Sequence, residues 1–362
     1  MPYICNQLTN TGQKMIINFS VQNFGSIKEK QTLSFEADKS KHLEDAYIIK
    51  IRNYRLLKIA MIYGANASGK TTILKALNFL RDMVLNPKEK KNEELDFNPF
   101  LFDTKTPTEN SVISIEFFQN NTRYFYEVEF CKKAIVSEEL YFYQPNKANV
   151  FKRSTNLKNQ FTEIFFGSKI AIDKVSEKTL VSNTLWNNTV LGGYLKTNVD
   201  LIELQEIIDW FNNYLKPMVY TKTDLEYYVT SKINNKEIDK NDIVNILKKA
   251  DFNISDIQIR EEESEIPDGF IEFVKRQIKA PDEEVKELEK KGKLTAVSLE
   301  FEHTVNGAKY HLPIELESQG TMRYYGFAGL LALLIKHPTA VPIDELEASL
   351  HPDLYIHFLL SF

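Results

Sequence analysis

Residues 62–83 read IYGANASGKTTILKALNFLRDM, and this stretch decides the fold. Inside it, the eight residues from Gly64 to Thr71 spell GxxxxGK[ST], preceded by an apolar run at 56–63 and followed by a helix-like run at 72–82. A buried strand that feeds a glycine-rich turn and then a helix aims several backbone N–H groups and the positive end of a helix dipole at one point. The β- and γ-phosphates of a nucleotide sit at that point. Lys70 then neutralises phosphate charge, and the Thr71 hydroxyl holds Mg²⁺. Strand and helix on the correct sides separate this motif from a plain glycine turn.

A second stretch completes the chemistry from the far end of the chain. Residues 340–345, AVPIDE, form a short apolar strand ending in two acids. In that pattern the first carboxylate, Asp344, completes a metal shell and the second, Glu345, polarises the attacking water. A solvated helix start with acids in its first turn is the competing reading of the pair. About twenty residues earlier, ESQGTMR (residues 317–323) lies just before the apolar helix expected at 324–335. Ser318 and Gly320 stand at a helix N-terminus that can bind a phosphate, with Arg323 adding charge, and in a head-to-tail dimer that phosphate belongs to the other subunit's nucleotide. The plainer alternative is that Ser318 only caps its helix.

Taken together, GANASGKTT (64–72), ESQGTMR (317–323), VPIDELEASLHP (341–352) and the opening FSVQNFGSIKEKQTLSF (19–35) resemble the ABC-type AAA ATP-binding proteins of bacterial abortive-infection loci. These are relatives of the overcoming-lysogenization-defect ATPases and, more distantly, of structural-maintenance-of-chromosomes and RecF-like ATPase heads. The resemblance covers residues 16–145 and 295–355. It implies an α/β, ABC-type P-loop ATPase head, with a mixed central sheet, an antiparallel β lobe and a mainly helical insertion. It further implies a homodimer or higher homo-oligomer that sandwiches ATP between one subunit's phosphate loop and the other's signature. On that basis ATP is bound in cis by Gly64, Asn66, Ala67, Ser68, Gly69, Lys70, Thr71 and Thr72, and in trans by Ser318, Gly320 and Arg323. Thr71 and Asp344 take Mg²⁺, Lys70 and Glu345 are catalytic, and the His351 loop is a dimer-contact segment. Such heads continue into a further strand and a switch histidine, whereas here the sequence stops at Phe362 and His357 falls in an expected helix. Weak hydrolysis, a truncated chain or a naturally short member of the family are the alternatives this raises. Gln319 also departs from the usual signature, and Gln119 reads as a turn residue rather than a magnesium ligand.

Composition agrees with a large α/β domain plus an inserted region: 362 residues, 43% hydrophobic, can build a sizeable core. The expected divisions are an N-terminal ATPase lobe at 1–153, a helical and partner-docking insertion at 154–293, and a C-terminal lobe at 294–362. A formal net charge of −5 gives no overall cationic field for nucleic acid, although a local basic face stays open. Two cysteines exclude a disulfide framework. No run is long enough to cross a bilayer and the first 20 residues lack a signal-peptide pattern, so a cytoplasmic protein is expected.

Alternating runs predict strands at 15–24 and 31–36, and a hairpin of 111–119 with 123–131 about Asn120-Asn121. Further strands follow at 137–143 and 150–153. Phe117, Tyr124, Tyr126 and Tyr141 are assigned to sheet packing rather than base stacking. Residues 155–292 read as helical, without heptads, and carry an acidic run at 261–263 and a mixed segment at 282–293, both taken as solvated or mobile. A second hairpin is expected about Asn306-Gly307. Three functions fit: an ATP-driven switch controlling a separate toxic effector in anti-phage defence, a RecF-like clamp on DNA, and a nuclease whose metal-binding domain would follow the ATPase.

Overall fold

The computed structural model describes residues 3–5, 13–65, 67–250, 252–267, 271, 290, 292–337, 339–348 and 350–361. Asn66, and the segment at 282–293 apart from Lys290, Gly292 and Lys293, lie outside them. The chain divides into two units: residues 1–223 with 334–348 and 362, and residues 224–333 with 349–361. Position 153 falls inside a strand of the first unit, and position 293 at the start of a strand of the second.

Among its described residues the first unit contains three sheets. The largest has seven antiparallel strands: β2 (Met15–Gln22), β3 (Gln31–Ser34), β7 (Ser111–Gln119), β8 (Thr122–Phe130), β9 (Ile135–Tyr143), β10 (Lys147–Asn156) and β11 (Phe161–Phe166), in the order β11-β10-β9-β8-β7-β2-β3. Alternation dictates it: β8 is buried at every second residue, from Thr122 to Phe130. Its hairpin with β7 closes through Asn120 and Asn121, both left-handed at φ 49° and 62°, the two-residue turn that asparagine tolerates. Phe117, Tyr124 and Tyr126 are buried, and Phe117 lies 4.1 Å from the Trp210 ring. That packing is the role expected for them. β4 (Ile48–Ile51) and β5 (Tyr54–Leu57) form a separate hairpin, preceded by the short α1 (Glu44–Tyr47).

The site is carried by the third sheet. β1 (Tyr3–Cys5) pairs antiparallel with both β6 (Ile59–Met61) and β15 (Val341–Ile343), which therefore run parallel to each other. Their C-terminal ends open on the same edge. On the far side of β15, the segment 214–219 adds a parallel partner: Lys216 N donates to Ala340 O and Val219 N to Pro342 O, and Asp344 N returns to Val219 O at 2.9 Å. α2 (Lys70–Leu85) follows β6 and buries Ile73, Leu74, Ala76, Leu77, Leu80, Met83 and Val84, one face at helical spacing. α3 (Lys174–Asn183), α4 (Val190–Tyr194) and α5 (Ile202–Asp209) complete the unit. A fully buried ion pair, Arg153 with Glu138, fastens the 184–190 connection to the large sheet. Arg153 donates to the Leu185, Trp186 and Asn188 carbonyls, while Glu138 accepts from Val190 N and the Tyr126 hydroxyl.

In the second unit, α6 (Leu225–Asn234) and α7 (Lys240–Lys249) precede a three-stranded antiparallel sheet of β12 (Ile254–Glu265), β13 (Lys293–Val305) and β14 (Ala308–Pro313). Among the described residues, the 155–292 stretch holds the helices α3 to α7 and, besides them, two strands the sequence did not suggest. β11 and β12 are strands within it, and the acidic run at 261–263 belongs to β12, paired in register with Val297, Ala296 and Thr295. Backbone pairing with β13 outweighs the poor strand preference of glutamate. The hairpin about Asn306-Gly307 forms as expected. α8 (Gln319–Lys336) packs so closely on α6 that a Cβ at Gly329 would stand 2.3 Å from Val229. α9 (Pro352–Leu360) ends the described chain. Among the described residues no helix is long and apolar enough to cross a membrane.

Candidate nucleotide site

At the C-terminal end of β6 the chain turns through residues 64–69 into α2. Gly69, the residue before the helix, is left-handed at φ +95°, and a Cβ there would press to 3.3 Å against Ile27. Only glycine enters this turn without strain. No side chain caps α2, so its first N–H groups keep the capacity to bind an anion. They face a cavity of about 270 Å³ lined by Ser26, Ala67, Ser68, Gly69, Lys70, Thr71, Thr72, Asp344, Glu345 and Glu347. The Lys70 ammonium lies over the loop and donates to the Gly64 and Ala65 carbonyls, each at 2.8 Å.

The two distant stretches meet here. The Thr71 hydroxyl donates to Asp344 Oδ1 at 3.0 Å across 273 residues of sequence. Asp344 follows the last residue of β15 and is nearly buried, at 7% exposure. A hydroxyl and a carboxylate oxygen converging beside a phosphate cradle are hard oxygen donors of the kind Mg²⁺ selects, so the residues fit that ion. Glu345, the next residue, is exposed and left-handed at φ 50°. This is an uncommon conformation for glutamate, and such residues cluster where function demands them. Its carboxylate accepts from the Thr221 hydroxyl at 2.8 Å. Thr72 is bonded to Ser26, hydroxyl to hydroxyl at 2.7 Å, which ties the turn after β2 to the loop.

Charge sets a condition on any ligand. Asp344, Glu345 and Glu347 outnumber Lys70 in the cavity lining. A bare polyphosphate meets repulsion from three carboxylates at short range. A divalent cation offsets that excess of negative charge, which favours binding a nucleotide together with its metal.

The structure thus gathers Ala67, Ser68, Gly69, Lys70, Thr71, Thr72, Asp344 and Glu345 around one cavity, with Gly64 at the start of the loop; Asn66 is outside the described residues. The signature residues belong to the other unit. There the Ser318 hydroxyl accepts from Thr321 N at 3.1 Å and caps α8, and Glu317 is bonded to His303 at 2.6 Å. Arg323 is buried at 6% exposure, its guanidinium 4.7 Å from the Phe327 ring centre. Burial lowers its pKa, opposed by nearby Glu226. His351 is exposed and caps α9. His357 is helical as expected, bonded through Nδ1 to the Tyr324 hydroxyl. Sequence reasoning gave no role to Ser26, Glu347 or Thr221. Glu347 could have been read from its spacing after the acidic pair, and Ser26 from its place in the quoted opening. Thr221 carries no local signal.

Comparison with known families agrees with this geometry. The family model described as "AAA domain, putative AbiEii toxin, Type IV TA system" matches residues 59–361, which include the phosphate loop, the signature stretch and the acidic pair. The chain belongs to this family of P-loop nucleotide-binding ATPases. No curated protein matches it.

Proposed function

We propose, on the premise of that AAA-domain membership, that the protein is a magnesium-dependent ATPase whose ATP-bound form assembles into a homodimer or higher homo-oligomer and controls a separate toxic effector in anti-phage defence. The observation that carries the catalytic half of this reading is the convergence of Thr71 and Asp344 at the ends of two parallel strands. The residues at 64–72 grip the phosphates, Lys70 neutralises them, and Thr71 with Asp344 holds the metal. Bound there, Mg²⁺ supplies charge neutralisation at the β- and γ-phosphates. Glu345 accepts a proton from the attacking water.

The assembly half rests on the resemblance of the motifs to abortive-infection ATPases and, further off, to overcoming-lysogenization-defect and RecF-like heads. In it Ser318 and Gly320 of one copy meet the phosphate of the other. Arg323 joins them only by leaving the Phe327 ring, so we assign it a packing role until phosphate competes for it. Nucleotide-dependent assembly follows from the physics of a shared ligand: contacts made to the γ-phosphate in one state alone shift the equilibrium toward that state.

Glu345→Gln with ATP and Mg²⁺ tests both halves. Size-exclusion chromatography with light scattering is expected to find a dimer or larger species that persists in Glu345→Gln and is absent in Lys70→Ala. Co-purification from the host is expected to yield a toxin-like or nuclease-like chain. Equal ATP binding by Lys70→Ala overturns the nucleotide reading. A Glu345→Gln protein that binds ATP as a monomer and brings down DNA overturns the switch.

A further inference from the structure

We propose that Thr221 is a positioning residue that aims the Glu345 carboxylate. The proposal rests on the reading of Glu345 as the base. The Thr221 hydroxyl donates to Glu345 Oε2 at 2.8 Å, across 124 positions of sequence. Glu345 is exposed, and an exposed glutamate has several rotamers of similar energy. Fixing one oxygen leaves Oε1 to accept the water's proton from a defined direction.

A surface hydrogen bond alone would prove little. What distinguishes this one is the rigidity of the group that donates it. The segment 214–219 is registered against β15, with Val219 opposite Ile343, so that Thr221 falls two positions beyond the ladder and beside the residue two beyond Ile343. The same segment is gripped by the phosphate-loop helix: Arg81 Nε of α2 donates to Leu215 O at 2.8 Å, and Met218 N donates to Asn78 Oδ1 at 2.9 Å. Beyond it, the turn at 220–223 closes on itself, Tyr220 N to Thr223 Oγ1 at 2.8 Å and Thr223 N to Tyr220 O at 3.0 Å. Thr221 is thus held at both ends. On the receiving side, Ala348 N donates to Glu345 O at 2.9 Å and closes the turn that keeps Glu345 left-handed. One helix therefore positions the phosphate loop at its start and, through Arg81 and Asn78, the threonine that orients the base.

The test compares Thr221→Val, which keeps shape and removes the donor, with Thr221→Ser, which restores it, and with Glu345→Gln. Hydrolysis is followed under single- and multiple-turnover conditions, and ATP affinity by a fluorescent analogue. Hydrogen–deuterium exchange over 344–348 is read in the nucleotide-free protein. Thr221→Val is expected to lower kcat about 10- to 100-fold, the range for a hydrogen bond to a charged group, with KM and affinity unchanged. It is also expected to speed exchange over 344–348, and Thr221→Ser to recover both. In the Glu345→Gln background Thr221→Val is expected to change nothing further. A Thr221→Val kcat within twofold of wild type or above it, set against an inactive Glu345→Gln, overturns this proposal alone. Full turnover in Glu345→Gln overturns the base and the positioning role with it.

Discussion

Replacing Asp344 by asparagine keeps the shape of the metal side of the cavity and removes one of its charges. Two unit charges about 4 Å apart interact by about 4 kcal/mol at an effective dielectric of 20. The cavity is open on one side, and screening there reduces the net effect to about 2 kcal/mol, roughly 30-fold in affinity. Asp344 itself is nearly buried and accepts from Thr71, so its charge is the least screened of the three acids. With Mg²⁺ present, Asp344→Asn is expected to bind ATP about 30-fold more weakly, because the ion loses a ligand charge. With the metal chelated, the sign changes: one source of repulsion is gone, and the variant binds ATP as well as the wild type or better. Titration of a fluorescent ATP analogue with and without EDTA measures both numbers, and melting of the nucleotide-free protein confirms the fold. Equal weakening under the two conditions would refute the assignment, since it would mean that Asp344 shapes the cavity without contributing its charge to a metal.

Two further outcomes follow from buried and half-buried ionisable groups. Arg153→Ala leaves Glu138 buried without its cation and is expected to cost about 3–5 kcal/mol in chemical denaturation, whereas Arg153→Met with Glu138→Gln is expected to recover much of that loss; equal stability of Arg153→Ala and wild type would sink the account. His357 is held below its usual range by burial and by nearby Lys249, so folding favours its neutral form. Its contribution is present above the unfolded value of about 6.5 and lost as pH falls below it, and His357→Gln is expected to flatten the pH dependence of melting in that window. Parallel melting curves from pH 5 to 8 for the two proteins would count against it.

The sequence made the phosphate cradle legible because every part of it is local. Strand, turn, left-handed Gly69 and apolar helix face occupy consecutive residues, and each is demanded by backbone geometry. Asp344 was readable too, since an apolar strand ending in an acid has a pattern of its own. β12 was not readable. Its acidic run looks like a solvated face, and only the register with β13, more than thirty residues away, turns it into a strand. The boundaries of the two units were hidden for a similar reason: residues 154–223 pack with the phosphate loop although their composition reads as an insertion. Ser318 was legible in two ways at once, because the hydroxyl and N–H groups that cap a helix are the ones that bind an anion. Thr221 could not have been found from sequence by any periodicity, since its role depends on a partner 124 residues distant.

That contrast bears on how the site works. The groups proposed to grip phosphate belong to one continuous stretch, tied to the rest of the fold by the Thr72–Ser26 and Thr71–Asp344 bonds. The groups that would activate water come from β15 and the segment 214–223, brought together by parallel pairing and by two side chains of α2. On the proposed roles, a perturbation that loosens this second assembly, such as loss of the Arg81 or Asn78 bonds, is expected to preserve ATP binding while misplacing Glu345. On those roles, binding and hydrolysis are separable in this fold. A protein that holds ATP well and hydrolyses it slowly needs no altered phosphate loop, only slack in the segment beside β15.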